Sequence, residues 1–95
     1  MKIKAKVYFL HKLDGRRVFS QGYGPQLLFD YQSKTTAGYL YAPTNTIMFD
    51  GEEHVVEFTL QRPDIVERYL SVGKRFQGLE GSRVVLEGVI LQVFQ

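Results

Sequence analysis

Lys2-Ile3-Lys4-Ala5-Lys6-Val7-Tyr8-Phe9 alternates strictly, with Ile3, Ala5, Val7 and Phe9 on one side of an extended chain and Lys2, Lys4, Lys6 and Tyr8 on the other. A helix would scatter the lysines around its circumference, so the run reads as a strand with an apolar face and a basic face. Leu13-Asp14-Gly15-Arg16-Arg17 then supplies an Asp-Gly turn signal, and Gly22-Tyr23-Gly24-Pro25 a second break before the short apolar run Leu27-Leu28-Phe29. Gly38-Tyr39-Leu40-Tyr41-Ala42 reads as another strand, stopped by Pro43 and Asn45. Phe49-Asp50-Gly51-Glu52-Glu53 is a turn, after which Val56, Phe58 and Leu60 alternate with Glu57, Thr59 and Gln61.

The only helical signal lies near 64–72. Pro63-Asp64 can open a turn or two in which Ile65/Tyr69 and Val66/Leu70 pair at four-residue spacing, and Gly73 stops it. Segments 75–79 and 83–94 are the last strands, joined by Glu80-Gly81-Ser82. Short strands at turn-punctuated intervals predict an all-β chain, an antiparallel barrel or sandwich. In the last strand Val84, Val85, Leu86, Val89, Ile90, Leu91 and Val93 place apolar groups on both faces, which calls for cover on both sides or a bulge near Gly88. Leu86 and Ile90 are therefore candidates for a face that leans on another protein.

The 95 residues, 44% of them hydrophobic, fit one domain over 1–95. No stretch reaches the roughly 18 apolar residues of a membrane span, and the chain opens on a charged alternation instead of a signal peptide's apolar run. The expectation is a cytoplasmic protein that does not enter membranes. The absence of cysteine excludes disulfides, thiol catalysis and zinc ribbons, and His11 and His54 are too few for most transition-metal sites. The net charge of +2 is unevenly spread, at +5 over 1–34 and −3 over 35–95, so a polyanion would meet the N-terminal part first.

An enzyme reading finds little. Gly22-x-Gly24 is followed by proline and a strand, not by the Gly-Lys-Ser/Thr and helix of a phosphate loop. Asp50, Glu52 and Glu53 beside His54 have the composition of a metal site but the setting of a charged hairpin tip. His11 would assist Ser20 or Ser33 only if the fold joined them. No catalytic residue, cofactor or metal is assigned. For nucleic acid, Lys2, Lys4 and Lys6 project from one strand face with Tyr8 continuing the row, and Tyr39 and Tyr41 share a face of theirs. The competing reading of the lysines is protection of a strand edge.

The order of motifs resembles the third domain of elongation factor Tu, the C-terminal β-barrel of that translational GTPase, over nearly the whole chain. Lys4-Ala5-Lys6-Val7-Tyr8 with Leu10 is similar to the family's opening Lys-Ala-Glu-Val-Tyr-Val-Leu, and Gly22-Tyr23-Gly24-Pro25-Gln26 with Phe29 to Gly-Tyr-Arg-Pro-Gln-Phe-Tyr-Phe. Asp50-Gly51-Glu52 stands where the family has Pro-Gly-Asp, and Thr59-Leu60-Gln61-Arg62-Pro63 where it has Thr-Leu-Ile-His-Pro. Gly73-Lys74-Arg75-Phe76 resembles Gly-Leu-Arg-Phe, and 80–90 resembles Glu-Gly-Gly-Arg-Thr-Val-Gly-Ala-Gly-Val-Val.

The resemblance implies a single closed six-stranded antiparallel β-barrel. It also implies a non-enzymatic surface that touches the T-stem backbone of aminoacyl-tRNA, the GTPase domain and the exchange factor. Carried over residue by residue, Gln26, Arg62 and Gly81 fall on tRNA-contact positions. Ala37 replaces a contacting threonine, with Thr35 or Thr36 as substitutes if the register slips. Gly24 and Asp30 stand where the family has arginines, which removes two phosphate contacts and reverses one charge. The segments 30–37 and 64–73 are longer than their counterparts, and neither a G domain nor a second barrel precedes this one. The chain is thus expected to be a free-standing relative that does not hydrolyse GTP.

Two functions follow as expectations. The first is a protein-binding module linked to translation, whose partner is a translation factor, an exchange factor or another protein that recognises this barrel, and whose interface includes Leu86 and Ile90. The alternative is a small RNA- or tRNA-binding protein using Lys2, Lys4, Lys6, Tyr8, Gln26, Arg62 and Gly81. Arg75 and Arg83 are read as structural, paired with Glu80 or Glu87.

Overall fold

A computed structural model describes residues 1–11, 18–29, 34–42 and 47–95. The expected turn at 13–17, the stop at Pro43 and Asn45, and Asp30 and Ser33 lie outside them. Eight strands form: β1 (Lys2–Phe9), β2 (Val18–Phe19), β3 (Gln26–Leu28), β4 (Thr35–Tyr41), β5 (Met48–Phe49), β6 (Glu53–Leu60), β7 (Arg75–Glu80) and β8 (Arg83–Phe94). Six of them close an antiparallel barrel in the order β1-β6-β4-β3-β7-β8, and β2 and β5 pair as a separate ribbon. The closed six-stranded barrel is the one expected.

The lysine alternation of β1 works as read. Ile3, Ala5, Val7 and Phe9 point into the barrel and are almost wholly buried, among Leu27, Leu40, Val56, Phe58 and Phe76. β1 is not an edge, because it pairs with β6 on one side and β8 on the other. Edge protection is therefore not what its lysines do.

β8 holds two bulges, one on either side of Gly88. Opposite β7, the register passes from Gly78↔Leu86 to Leu79↔Val84 and leaves Val85 as an extra residue. Opposite β1, it passes from Lys4↔Gln92 to Ala5↔Ile90 and leaves Leu91 extra. Each bulge flips the side-chain phase. Val85 and Leu86 consequently both turn inward, and Leu91 and Gln92 both turn outward. This corrects the interface expectation: Leu86 and Ile90 are 0% exposed and belong to the core.

Three inward-facing glycines make room for the large side chains opposite them. A β-carbon at Gly38 would lie 2.4 Å from Leu27 Cδ1, at Gly78 2.6 Å from Leu86 Cγ, and at Gly88 2.5 Å from Phe76 Cζ. So narrow an interior fills only by alternating large and absent side chains.

Both ends of the barrel are capped. At one end Phe19 of β2 stacks on Phe9 with ring centroids 4.1 Å apart and meets Tyr23 edge-on at 5.2 Å. The two-residue strands β2 and β5 escape a reading by alternation, which needs more residues than two to show a period. Gln21 ties the same end to the barrel, its side chain donating to the Ala42 carbonyl at 2.9 Å and accepting from the Ala42 amide at 2.8 Å. At the other end helix α1 (Pro63–Val66) and a 3-10 turn over Glu67–Tyr69 fill the expected helical stretch. Val66 is fully buried there, with Ile65, Tyr69 and Leu70 packed against the core.

The glycine–leucine interlock is testable by urea denaturation. Gly78→Ala should cost about 1–3 kcal/mol through overpacking, and Leu86→Ala about 2–5 kcal/mol through a cavity. The double variant should lose less than the sum of the two, because each change relieves the other. Strict additivity would show that the two positions do not share one space.

Candidate interaction surface

The outward rows of the barrel follow from the pairing registers. Around β4, β6, β1 and β8 one row reads Tyr41–Glu57–Lys4–Gln92 and another Tyr39–Thr59–Lys2–Phe94. Two further rows across β6, β1, β8 and β7 read Val55–Lys6–Val89–Arg75 and Glu53–Tyr8–Glu87–Gln77. Lys2 lies 3.6 Å from Glu57 and Lys6 4.0 Å from Glu53, both at exposed or half-exposed sites. Each of the three lysines thus has carboxylates among its neighbours, and Tyr8 stands between Glu53 and Glu87. A phosphate backbone approaching these rows would meet Glu53, Glu57 and Glu87 as well as Lys2, Lys4, Lys6 and Arg75, which weakens the counterion release that drives polyelectrolyte binding.

The RNA-contact candidates fall into two groups. Gln26 faces Ala37 on one side and Leu79 on the other, so the Glu80-Gly81-Ser82 turn begins one residue away. The Ala37 carbonyl accepts from the Gln61 amide at 2.8 Å, and the Arg62 amide donates to Thr36 Oγ1 at 2.7 Å. Gln26, Gly81 and Arg62 therefore gather on the β3 side. The lysines and Tyr8 sit on β1, three places away in a ring of six and hence on the opposite wall.

Within the β3 group the charge is spent locally. The Arg62 guanidinium grips Asp64 with two hydrogen bonds, Nε to Oδ1 at 3.1 Å and Nη2 to Oδ2 at 2.9 Å. This hydrogen-bonded pair holds the Asp64 carboxyl below the usual aspartate range and raises Arg62. Ala37 is buried, and the Thr36 hydroxyl is buried and already engaged, so neither supplies the missing threonine contact.

Tyrosine dominates the other wall. Tyr8, Tyr39, Tyr41, Val55 and Leu91 are all exposed on the outer face of β4, β6, β1 and β8. The Tyr39 ring lies over Gly24, where a β-carbon would come within 2.9 Å of two ring carbons. The aromatic is thus seated against bare backbone, at the position where the resemblance implies an arginine.

The remaining candidates are structural. Glu52 accepts from the Phe49 amide at 2.8 Å and lies 3.1 Å from His54 Nε2, so it closes the β5–β6 turn. Asp50 is buried and faces His11 at 3.5 Å. Among the described residues no cluster of three or more His, Cys, Asp or Glu side chains could hold a metal ion, and no helix is long and apolar enough to cross a membrane. Arg75 and Arg83 form no ion pair among the described residues, contrary to expectation, and Glu80 instead accepts a hydrogen bond from the Tyr23 hydroxyl. The sequence matches no protein-family model.

The Arg62–Asp64 pair predicts a carbon-detected NMR titration in which the Asp64 carboxyl has a midpoint below the ordinary aspartate value and returns to it in Arg62→Gln. Because the depressed value stabilises the fold only above the unfolded-state midpoint, that contribution should vanish as pH falls through the folded one. An unshifted midpoint in the unaltered protein would show that Arg62 stays free in solution.

Proposed function

We propose that the chain is a non-enzymatic binding module of the kind represented by the third domain of elongation factor Tu. In this reading it acts in the cytoplasm and engages a protein partner linked to translation through the outer face of β4, β6 and β1. The observation that carries the reading is the set of exposed tyrosines, Tyr8, Tyr39 and Tyr41, on strands where Lys2 and Lys6 lie close to Glu57 and Glu53. Large rigid aromatics with a polar tip and a rim of mixed charge are the composition of protein interfaces. A polyanion site needs uncompensated cations instead. Glu52 and His54, from the carboxylate–histidine group with the composition of a metal site, serve the β5–β6 turn, which favours a binding role over an enzymatic one.

The RNA reading keeps one supporting observation, the gathering of Gln26, Gly81 and Arg62 on the β3 side. One pair of titrations separates the two. Calorimetry against the nucleotide-binding domain of elongation factor Tu and against its exchange factor should give saturable binding to one of them. Tyr39→Ala/Tyr41→Ala should weaken it by ~2 kcal/mol or more, the scale of a hot-spot loss. Labelled tRNA followed by anisotropy at two salt concentrations should show none. Saturable tRNA binding that falls steeply with salt and is lost in Lys4→Glu/Lys6→Glu would replace the protein reading with the RNA one.

A further inference from the structure

On the wall formed by β1, β8 and β7 a groove of about 790 Å³ opens to solvent. One rim holds Lys6 and Arg75, which flank Val89 in a single row, with Lys74 and Gly73 of the preceding loop beside them. The next row, two residues along each strand, is Tyr8, Glu87 and Gln77, with Glu53 beyond Tyr8. Leu28 adds apolar lining, with the buried rings of Phe29 and Phe76 behind it.

Lys6, Tyr8 and Glu53 are shared with the tyrosine face, but the charges added by β7, β8 and the loop before β7 stand differently. Arg75, Lys74 and Glu87 make no ion pair among the described residues, and Lys6 has only the 4.0 Å approach of Glu53. Charges of this kind, held on rigid strands and left without partners, are open to charges from outside.

Their spacing defines a ligand. Residues two apart on a strand are about 6.6–6.8 Å apart, so a cationic row and an anionic row lie side by side at one dipeptide repeat. A closed barrel offers no strand edge, which excludes recognition by backbone pairing and leaves side chains to read the partner. An extended segment repeats its side chains on one face at that same spacing.

We propose that this groove seats an extended segment of the protein partner bearing an acidic residue and, two residues on, a basic one on the same side. The acidic side chain lies between Lys6 and Arg75, and the basic one reaches Glu87. This deepens the protein-binding reading and rests on it. A nucleic-acid occupant would set its phosphates against Glu53 and Glu87 as well as Lys6, Lys74 and Arg75, whereas a segment carrying both signs answers both rows.

The probe is a fluorescein-labelled peptide of sequence Ser-Thr-Val-Glu-Val-Lys-Val-Thr-Ser, with a control in which glutamine replaces both charged residues. Binding followed by anisotropy and amide chemical shifts should perturb Lys6, Arg75, Glu87 and Val89, and should weaken by about tenfold for the control peptide and for Arg75→Glu. Glu87→Gln tests the other rim and serves if Arg75→Glu does not fold. Equal binding of both peptides, shifts confined to another face, or a short single-stranded RNA perturbing the same amides would each overturn the proposal. In the partner titrations, loss with Tyr39→Ala/Tyr41→Ala but none with Arg75→Glu or Glu87→Gln would sink the groove and leave the protein reading standing. Absence of any partner binding would sink that reading itself.

Discussion

Closure of the barrel depends on β8, the single strand that must satisfy β1 on one side and β7 on the other. A regular strand of twelve residues would carry one side-chain phase along its whole length. Two bulges at different points and against different neighbours let it change phase twice. The first sends Val85 and Leu86 inward together, and the second sends Leu91 and Gln92 outward together. Because bulged strands also bend and twist more strongly, the same two irregularities that place the side chains supply curvature. The inward glycines follow from that curvature, since Gly78 and Gly88 leave the space that Leu86 and Phe76 occupy.

This explains what the sequence disclosed and what it hid. β1 and β6 were legible because each is half buried with no bulge between them, so period-two alternation maps directly onto inside and outside. β8 was legible as a strand but not in its facing. An apolar run on both faces looks the same whether it is covered from outside or phase-shifted by bulges, and only the register distinguishes them. The pattern alone thus offers Leu86 and Ile90 to a partner, whereas in the closed barrel both point inward. The site was harder still. The lysine row is visible in one strand, but the carboxylates that lie against it come from β6, about fifty residues away in sequence. Charge compensation is a property of the closed sheet, not of any segment.

Closure also constrains what the outer wall can do. With every barrel strand paired on both sides, no row of backbone donors and acceptors is left for a partner to extend, and the barrel is protected from edge-to-edge association. Recognition then falls to side chains standing off a rigid sheet, where their spacing is fixed by the pleat and their entropy is partly lost already. Tyrosine suits this setting because it offers a large contact area with few rotatable bonds. In the proposed binding role, tyrosines beside lysines and carboxylates on β4, β6 and β1 offer a partner shape and a charge pattern in place of a net field.

The pairing of Gly24 with Tyr39 brings these threads together. The resemblance to the elongation-factor barrel implies an arginine just before Pro25, and here any side chain at that position would collide with the Tyr39 ring. The two features therefore compete for one space: a cation reaching out toward phosphate, or an aromatic lying flat across the backbone. With Gly24, the ring is held in place at the edge of the tyrosine face, next to the β3 side where Gln26 and Gly81 gather. Placing an arginine there would displace the ring as well as add a charge. Gly24 and Tyr39 are thus one coupled choice: the backbone stays bare so that the ring can lie across it, and aromatic surface stands where a longer side chain would otherwise project.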